Sequence, residues 1–297
     1  MPDHPNNGRA ILLVIAGMAC FAAVDAFVKL ASASQSAGQI ILVSSVLTLG
    51  VYLAMMWRER TPFFTRQALS TPLLIRTAGE VSGSVGIVFA LGLAPLSTVM
   101  ALGQAQPLAV VAGAALFLGE DVGWRRWAAV GLGMIGVLVI LRPGLGAFDP
   151  NLLWVLIYIF GLAARDLASR RLPPDTTTAF AVAWSLVPMI AVAVVIMEYQ
   201  GGWQPVSTSV WLIYIGMVVA VSVALWTMTT AMRVGEVSAV APFRYSRIVF
   251  ALIIAFVIFD EVPDGLTWLG AGLIVGSGIY TFWRERRIQK KRLKTLG

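Results

Sequence analysis

From residue 10 to residue 283 the chain is a succession of apolar runs, separated by breaks of a few polar residues. A helix needs about 20 mostly apolar residues to cross a bilayer. Ten segments meet that requirement: 10–31, 38–57, 72–92, 95–117, 124–141, 151–170, 177–198, 209–232, 237–259 and 265–283. Hydrophobic residues make up 58% of the 297, and charged residues only 12%, against about 25% in a soluble domain. Such a chain cannot cover itself with polar surface, so an all-α integral membrane protein is expected. The runs show no two-residue alternation, which excludes an outer-membrane barrel. The breaks are too short to hide a soluble domain. The opening "MPDHPNNGR" is a poor signal-peptide start, and the apolar run after it reads as an uncleaved first span.

The net charge of +7 would suggest nucleic acid in a soluble protein. Here the basic residues cluster in the tail "RERRIQKKRLK" and in short breaks between spans, as in cytoplasmic flanks, so no nucleic-acid partner is expected. Counted on alternate sides, one side collects Arg9, Arg58, Arg60, Arg66, Arg125, Arg126, Arg170, Arg171, Arg233 and the tail at 285–297. The other has little beyond Lys29 and Arg142. The bias places both termini in the cytoplasm. The single cysteine, Cys20, permits no intramolecular disulfide and reads as a packing residue.

Residues 10–143 and 151–284 align without gaps at a constant offset of 141 positions, which divides the chain into a first repeat at 1–143 and a second at 151–284. Asp25 falls opposite Asp166, Lys29 opposite Arg170, Ser97 opposite Ser238, Glu120 opposite Glu261, Trp127 opposite Trp268 and Gly131 opposite Gly272. Each copy holds five spans. An odd number makes the second copy enter the membrane from the opposite face, the inverted arrangement common in secondary transporters. The chain has no G-x-x-x-x-G-K-[ST] loop, so nothing marks an ATP-driven pump.

The repeat ends are "APLSTVMALGQAQPLAVVAGAALFLGEDVGWRRWAAVGLGMIGVLVI" and "GEVSAVAPFRYSRIVFALIIAFVIFDEVPDGLTWLGAGLIVGSGIY". Each has a small-residue helix start, an apolar helix, an acidic end, then a helix with tryptophan followed by glycines. The pattern resembles the EamA-type repeat of the drug/metabolite transporter superfamily. That resemblance covers essentially the whole chain. It implies a ten-span exporter of small metabolites in a bacterial inner membrane, most similar to exporters of aromatic and other amino acids; the alternative it leaves open is an exporter of drugs or other amphipathic compounds. It implies no cofactor.

Arg244 and Arg247 interrupt the ninth apolar run. At 1.5 Å per residue they lie about 10 and 15 Å deep, where a charge costs about 2.5–3.5 kcal/mol or more. They should face a wet cavity or an anion. Glu80 in the third span is about 12 Å deep, which suggests pairing with one of them and a positive surplus for a substrate carboxylate. The alternative is a structural ion pair. The counterparts of Tyr245 and Arg247 are Gln104 and Gln106, polar groups that need partners in mid-span. They sit beside Pro107, which should kink the fourth span. Pro242 has no proline counterpart, so hinge positions should differ between the halves.

Asp25 and Asp166 could couple transport to protons. However, each precedes a basic residue by four positions, the spacing of a helical ion pair. Asp260 and Glu261, like Glu120 and Asp121, read as solvated helix ends. Tyr158, Trp184, Tyr214 and Trp226 lie deeper than the interfacial tryptophans and could line a pocket or pack. Gly79, Gly83 and Gly86 share one face, and Gly272 and Gly276 form GxxxG; both read as packing devices. The GxxxG motif leaves open a dimer through the tenth span, but the same motif packs helices within one chain, which is compatible with a monomer. A membrane enzyme would need paired histidines or a metal cluster. The only histidine is His4, and no metal-ligand cluster is visible in the sequence. A channel is the other alternative, less compatible with inverted repeats broken by polar residues.

Overall fold

A computed structural model describes residues 7–118, 124–142, 149–169, 171–173, 175–234 and 241–295. The described residues form helices and no strand. In chain order these are α1 (Asn7–Ala31), α2 (Ala37–Glu59), α3 (Thr71–Leu93), α4 (Leu96–Gly103), α5 (Gln106–Leu118) and α6 (Trp124–Leu141). Then follow α7 (Leu153–Ser169), α8 (Thr178–Tyr199), α9 (Thr208–Val234), a 3-10 segment Ala241–Tyr245, α10 (Ser246–Phe259) and α11 (Gly265–Thr295). Among the described residues seven stretches are long and apolar enough to cross a membrane, and Trp127–Leu141 and Gly265–Tyr280 are shorter apolar helices. Ser36 and Thr177 cap α2 and α8 through their side-chain oxygens, satisfying amides that have no intrahelical partner.

Two expected spans are not continuous. The fourth breaks at Gln104–Ala105, where α4 gives way to α5. The ninth changes at Tyr245–Ser246 from a 3-10 turn to α10. At the offset of 141 these breaks coincide. Pro107, expected to kink its helix, lies just after the first of these breaks, at the second residue of α5; its missing amide and the clash of its ring with the carbonyl four residues back disfavour a continuous helix across 103–106. Pro242 lies in the 3-10 segment.

Helices of one half pack on helices of the other in pairs that exchange with each other when the halves are exchanged. The contacts α1–α9 and α3–α7 form one such couple, α1–α10 and α5–α7 another. The contacts α2–α8 and α6–α11 map onto themselves, and α4–α10 joins the fourth span to the ninth, its counterpart. Counterpart helices run antiparallel: Gly38 of α2 meets Met197 of α8, whereas Tyr52 and Met56 share a cluster with Phe180 and Ala183.

The close approaches rest on glycine. A Cβ on Gly79 would sit 2.6 Å from the Gly161 carbonyl oxygen, and one on Gly86 2.6 Å from the Tyr158 amide nitrogen. Between α6 and α11, a Cβ on Gly136 would sit 2.7 Å from the Gly270 carbonyl oxygen. Gly272 and Gly276, by contrast, have nothing within 4 Å where a Cβ would go. Among the described residues the GxxxG of α11 therefore packs against no other helix, contrary to the expectation of packing within one chain; Gly270 does pack on one. Gly79→Ala should force α3 and α7 apart and cost about 1–3 kcal/mol, lowering the thermal unfolding midpoint in detergent. Gly272→Ala should leave that midpoint in place, because the added methyl meets no atom.

Candidate functional site

The deepest charges gather where α1, α3, α5, α7 and α10 meet. Asp25 of α1 is 3% exposed. Arg247, one residue past the start of α10, grips it with both arms: Nε donates to Oδ2 at 3.0 Å and Nη2 donates to both oxygens at 2.7 Å. Its Nη1 donates to the Tyr158 hydroxyl at 3.4 Å. The Phe21 ring lies 5.5 Å from the guanidinium carbon. A forked guanidinium–carboxylate contact of this kind satisfies several donors and acceptors at once, which a pair removed from water requires.

A second cluster lies on α7. Arg165 donates from Nε and Nη2 to Asp166 Oδ1 at 2.9 and 2.8 Å. Its Nη1 reaches the Glu80 carboxylate at 3.4 Å. Gln106 of α5 donates to Asp166 Oδ2 at 3.0 Å. Arg76 stands 3.7 Å from Glu80 and donates to Ser185 Oγ at 2.6 Å and to the Ala181 carbonyl at 3.0 Å.

The two clusters are related by the repeat. The counterpart of Asp25 is Asp166 and that of Arg247 is Gln106. Thus the ion pair α1–α10 and the hydrogen bond α5–α7 occupy equivalent places, with a charge in one and an amide in the other. Tyr158 links them, since it lies on α7 and touches Arg247. Gly103 leaves room for it: a Cβ there would stand 3.0 Å from the Tyr158 ring.

Several expected partners are different. Glu80 pairs with Arg165 and Arg76 rather than with Arg244 or Arg247. Depth alone put them level, but α3 packs on α7 and not on α10. There is no positive surplus among the buried groups described: Arg76, Arg165 and Arg247 face Asp25, Glu80 and Asp166. Asp25 pairs with Arg247 instead of Lys29. Arg170, the expected partner of Asp166, lies outside the described residues. Arg244 is exposed. Gln104 is buried and donates to the Met100 carbonyl of its own helix at 3.4 Å. Tyr245 is buried and packs against Gly278. Trp184 packs edge-on to Phe63 at 4.8 Å, and Trp226 is largely exposed. Arg76 and Arg165 escaped the sequence reading, although both stand inside expected spans, a signal as strong as that of Arg247.

Above the network, one end of the bundle is tied across the halves. Lys29 Nζ lies 3.0 Å from Glu261 Oε1 and donates to the Ala94 carbonyl at 2.9 Å. Glu261 Oε2 accepts from the Ser97 amide and hydroxyl at 3.0 and 3.1 Å, placing a carboxylate on the first turn of α4. Glu261 is therefore no solvated end. Its counterparts Arg170, Glu120 and Ser238 lie outside the described residues, as does Asp121. At the same end Gln39 exchanges two hydrogen bonds of 2.8 Å with the Gln204 backbone, and Arg142 pairs with Asp264. Hydrogen bonds from Thr267 and Arg142 hold the Asp264 carboxyl down at about 2. Its folded pKa is depressed, so its contribution is complete above the ordinary value of 3.8 and fades as pH falls through about 2. Asp264→Asn should accordingly leave the shape of a flux–pH profile between pH 5 and 8 unchanged.

These features define a class: a polytopic membrane protein of two like halves, with balanced charges at its waist and a tied end. The sequence profile of the EamA-like transporter family matches residues 8–142 and again 150–283. The chain belongs to the EamA-like transporter family, within the drug/metabolite transporter superfamily, and its relatives are transporters rather than enzymes. It is 28% identical to a riboflavin transporter of Vibrio cholerae over 97% of both chains. It is 25% identical to an S-adenosylmethionine uptake transporter of Rickettsia felis over 71% of both. It is 27% identical to a pseudopaline exporter of Pseudomonas aeruginosa over 89% of this chain and 93% of the other. A solved crystal structure, 18% identical, superposes with a TM-score of 0.59 over 94% of this chain and 98% of its own, which is a likeness of fold.

Proposed function

We propose that this chain is a secondary transporter exporting small amphipathic metabolites, amino acids with aromatic side chains among them, by alternating access. In this reading ten spans form two inverted five-helix repeats in the bacterial inner membrane, with both termini cytoplasmic and the chain acting as a monomer. Antiparallel packing of counterpart helices supports the inversion, and the placement of basic residues supports the orientation. The tied end, with Lys29 and Glu261, then faces away from the cytoplasm.

The observation that carries the reading is the cross-half pair Asp25–Arg247 with its amide counterpart Asp166–Gln106. A zwitterion can enter such a network without stranding a charge. Its carboxylate replaces Asp25 on Arg247, and its ammonium meets the carboxylate released. Exchange of partners avoids the several kcal/mol that a bare buried ion would cost. Proton coupling through Asp25 or Asp166 belongs to the same reading, since protonation of either would release its cationic partner. The test is uptake of labelled amino acids into proteoliposomes, with and without a proton gradient. Flux above empty liposomes for leucine, phenylalanine or tryptophan is expected; background flux across a broad amino-acid panel would reject the substrate class. The full-length match to a riboflavin transporter favours one second reading, transport of other aromatic compounds, so riboflavin belongs in the panel.

A further inference from the structure

A cavity of about 900 Å³ lies between α3, α5, α6 and α7. We propose that it receives the apolar side group of the transported solute, whose charged head sits on the adjoining ionic network. The proposal rests on the transport reading above and adds a subsite to it.

The cavity owes its width to small side chains. Ala112 and Gly113 of α5 face Ala163 and Ala164 of α7 across it. Its lining is almost wholly apolar, and its volume lies within the range of about 300–1,000 Å³ typical of small-molecule sites. The network's residues are not in the lining, but their immediate chain neighbours are, and this adjacency points to the occupant. Ala105, at the break between α4 and α5, lines the cavity, and the next residue, Gln106, bonds Asp166. On the facing helix, Ala163 and Ala164 line the cavity immediately before Arg165 and Asp166. The Gln106–Asp166 bond thus spans the two helices that form the cavity walls. A solute held there has charges on one side and an apolar hollow on the other. The complementary molecule is a zwitterion with a bulky apolar group. The rim at Phe160 and Leu138 is exposed, so a lipid acyl chain is the competing occupant.

The two occupants differ in what a change of cavity volume does. An acyl chain leaves solute preference untouched; a solute side group does not. Ala112→Phe and Ala164→Phe narrow the hollow from opposite walls, and Ala112→Gly widens it without risk of overpacking. Purified wild type and variants that elute as single species are reconstituted, and counterflow of alanine, leucine, phenylalanine and tryptophan is compared. The tryptophan-to-alanine flux ratio should fall about tenfold or more in each Phe variant, within the range by which pocket volume discriminates substrates. It should rise in Ala112→Gly. An unchanged ratio in Ala112→Gly and in whichever Phe variant reconstitutes assigns the cavity to lipid and overturns the subsite alone. Wild-type flux at background for all four solutes overturns the subsite and the transport reading together.

Discussion

Arg247→Ala reduces solute flux in proteoliposomes to background and lowers the thermal unfolding midpoint in detergent. The reason is Asp25, which is 3% exposed and takes three charged hydrogen bonds from that one side chain. Deleting one partner of a buried pair costs about 3–5 kcal/mol, because the other charge is left without compensation. At about 1.4 kcal/mol per factor of ten this corresponds to roughly two to three and a half orders of magnitude in any equilibrium requiring the intact site. Arg247→Gln separates fold from function. The equivalent place in the other half already holds a glutamine on an aspartate, Gln106 on Asp166 at 3.0 Å. The glutamine variant should therefore recover most of the lost midpoint while flux stays near background, since an amide cannot exchange a carboxylate as a guanidinium does. Flux close to wild type in Arg247→Gln would show the pair to be a structural tie.

Glu261→Gln opens the tied end. The carboxylate holds Lys29 with one oxygen and the first turn of α4 with the other. A charged hydrogen bond contributes about 1.5–3 kcal/mol, so its replacement should speed hydrogen exchange in the Leu96–Met100 stretch by about tenfold or more. The ionic network lies on other residues, so exchange around Asp25 should remain slow. Uniform acceleration throughout the bundle would mean that Glu261 supports the whole fold rather than one end.

The fold was legible because its determinants are periodic or repeated. Apolar length set the helices, and matched pairs such as Asp25 with Asp166 set the duplication. The glycine face Gly79, Gly83 and Gly86 marked one helix contact, whereas Gly272 and Gly276 did not, since spacing tells that a face is smooth and not what lies against it. The ionic partners were less legible for a related reason. Counting residues gives depth along a helix, and Glu80 and Arg247 are level by that measure. Pairing also needs the direction in which a side chain points and the identity of the packed helix, both set by tertiary contacts. The repeat held usable information that depth did not. It places Asp25 and Arg247 opposite Asp166 and Gln106, so a contact in one half implies a contact in the other. Arg165 has an apolar counterpart, Val24, and a search for matched charges passes over it. Pro107 was legible as a breaker, since the fourth span is interrupted in the turn just before it, where a proline removes a backbone bond and its ring clashes.

Pulsed electron–electron distance measurement on spin labels at both ends of the bundle tests the proposed rocking of two inverted halves most directly. One label pair at Ser34 and Trp203 reports on the tied end, and one at Arg60 and Asp175 on the opposite end; all four positions are exposed. Introducing Glu261→Gln should lengthen the first distance and shorten the second, because halves pivoting about a central site open one mouth as they close the other. Lengthening of both, or of the first alone, would contradict the account and describe a bundle that merely loosens where it was untied.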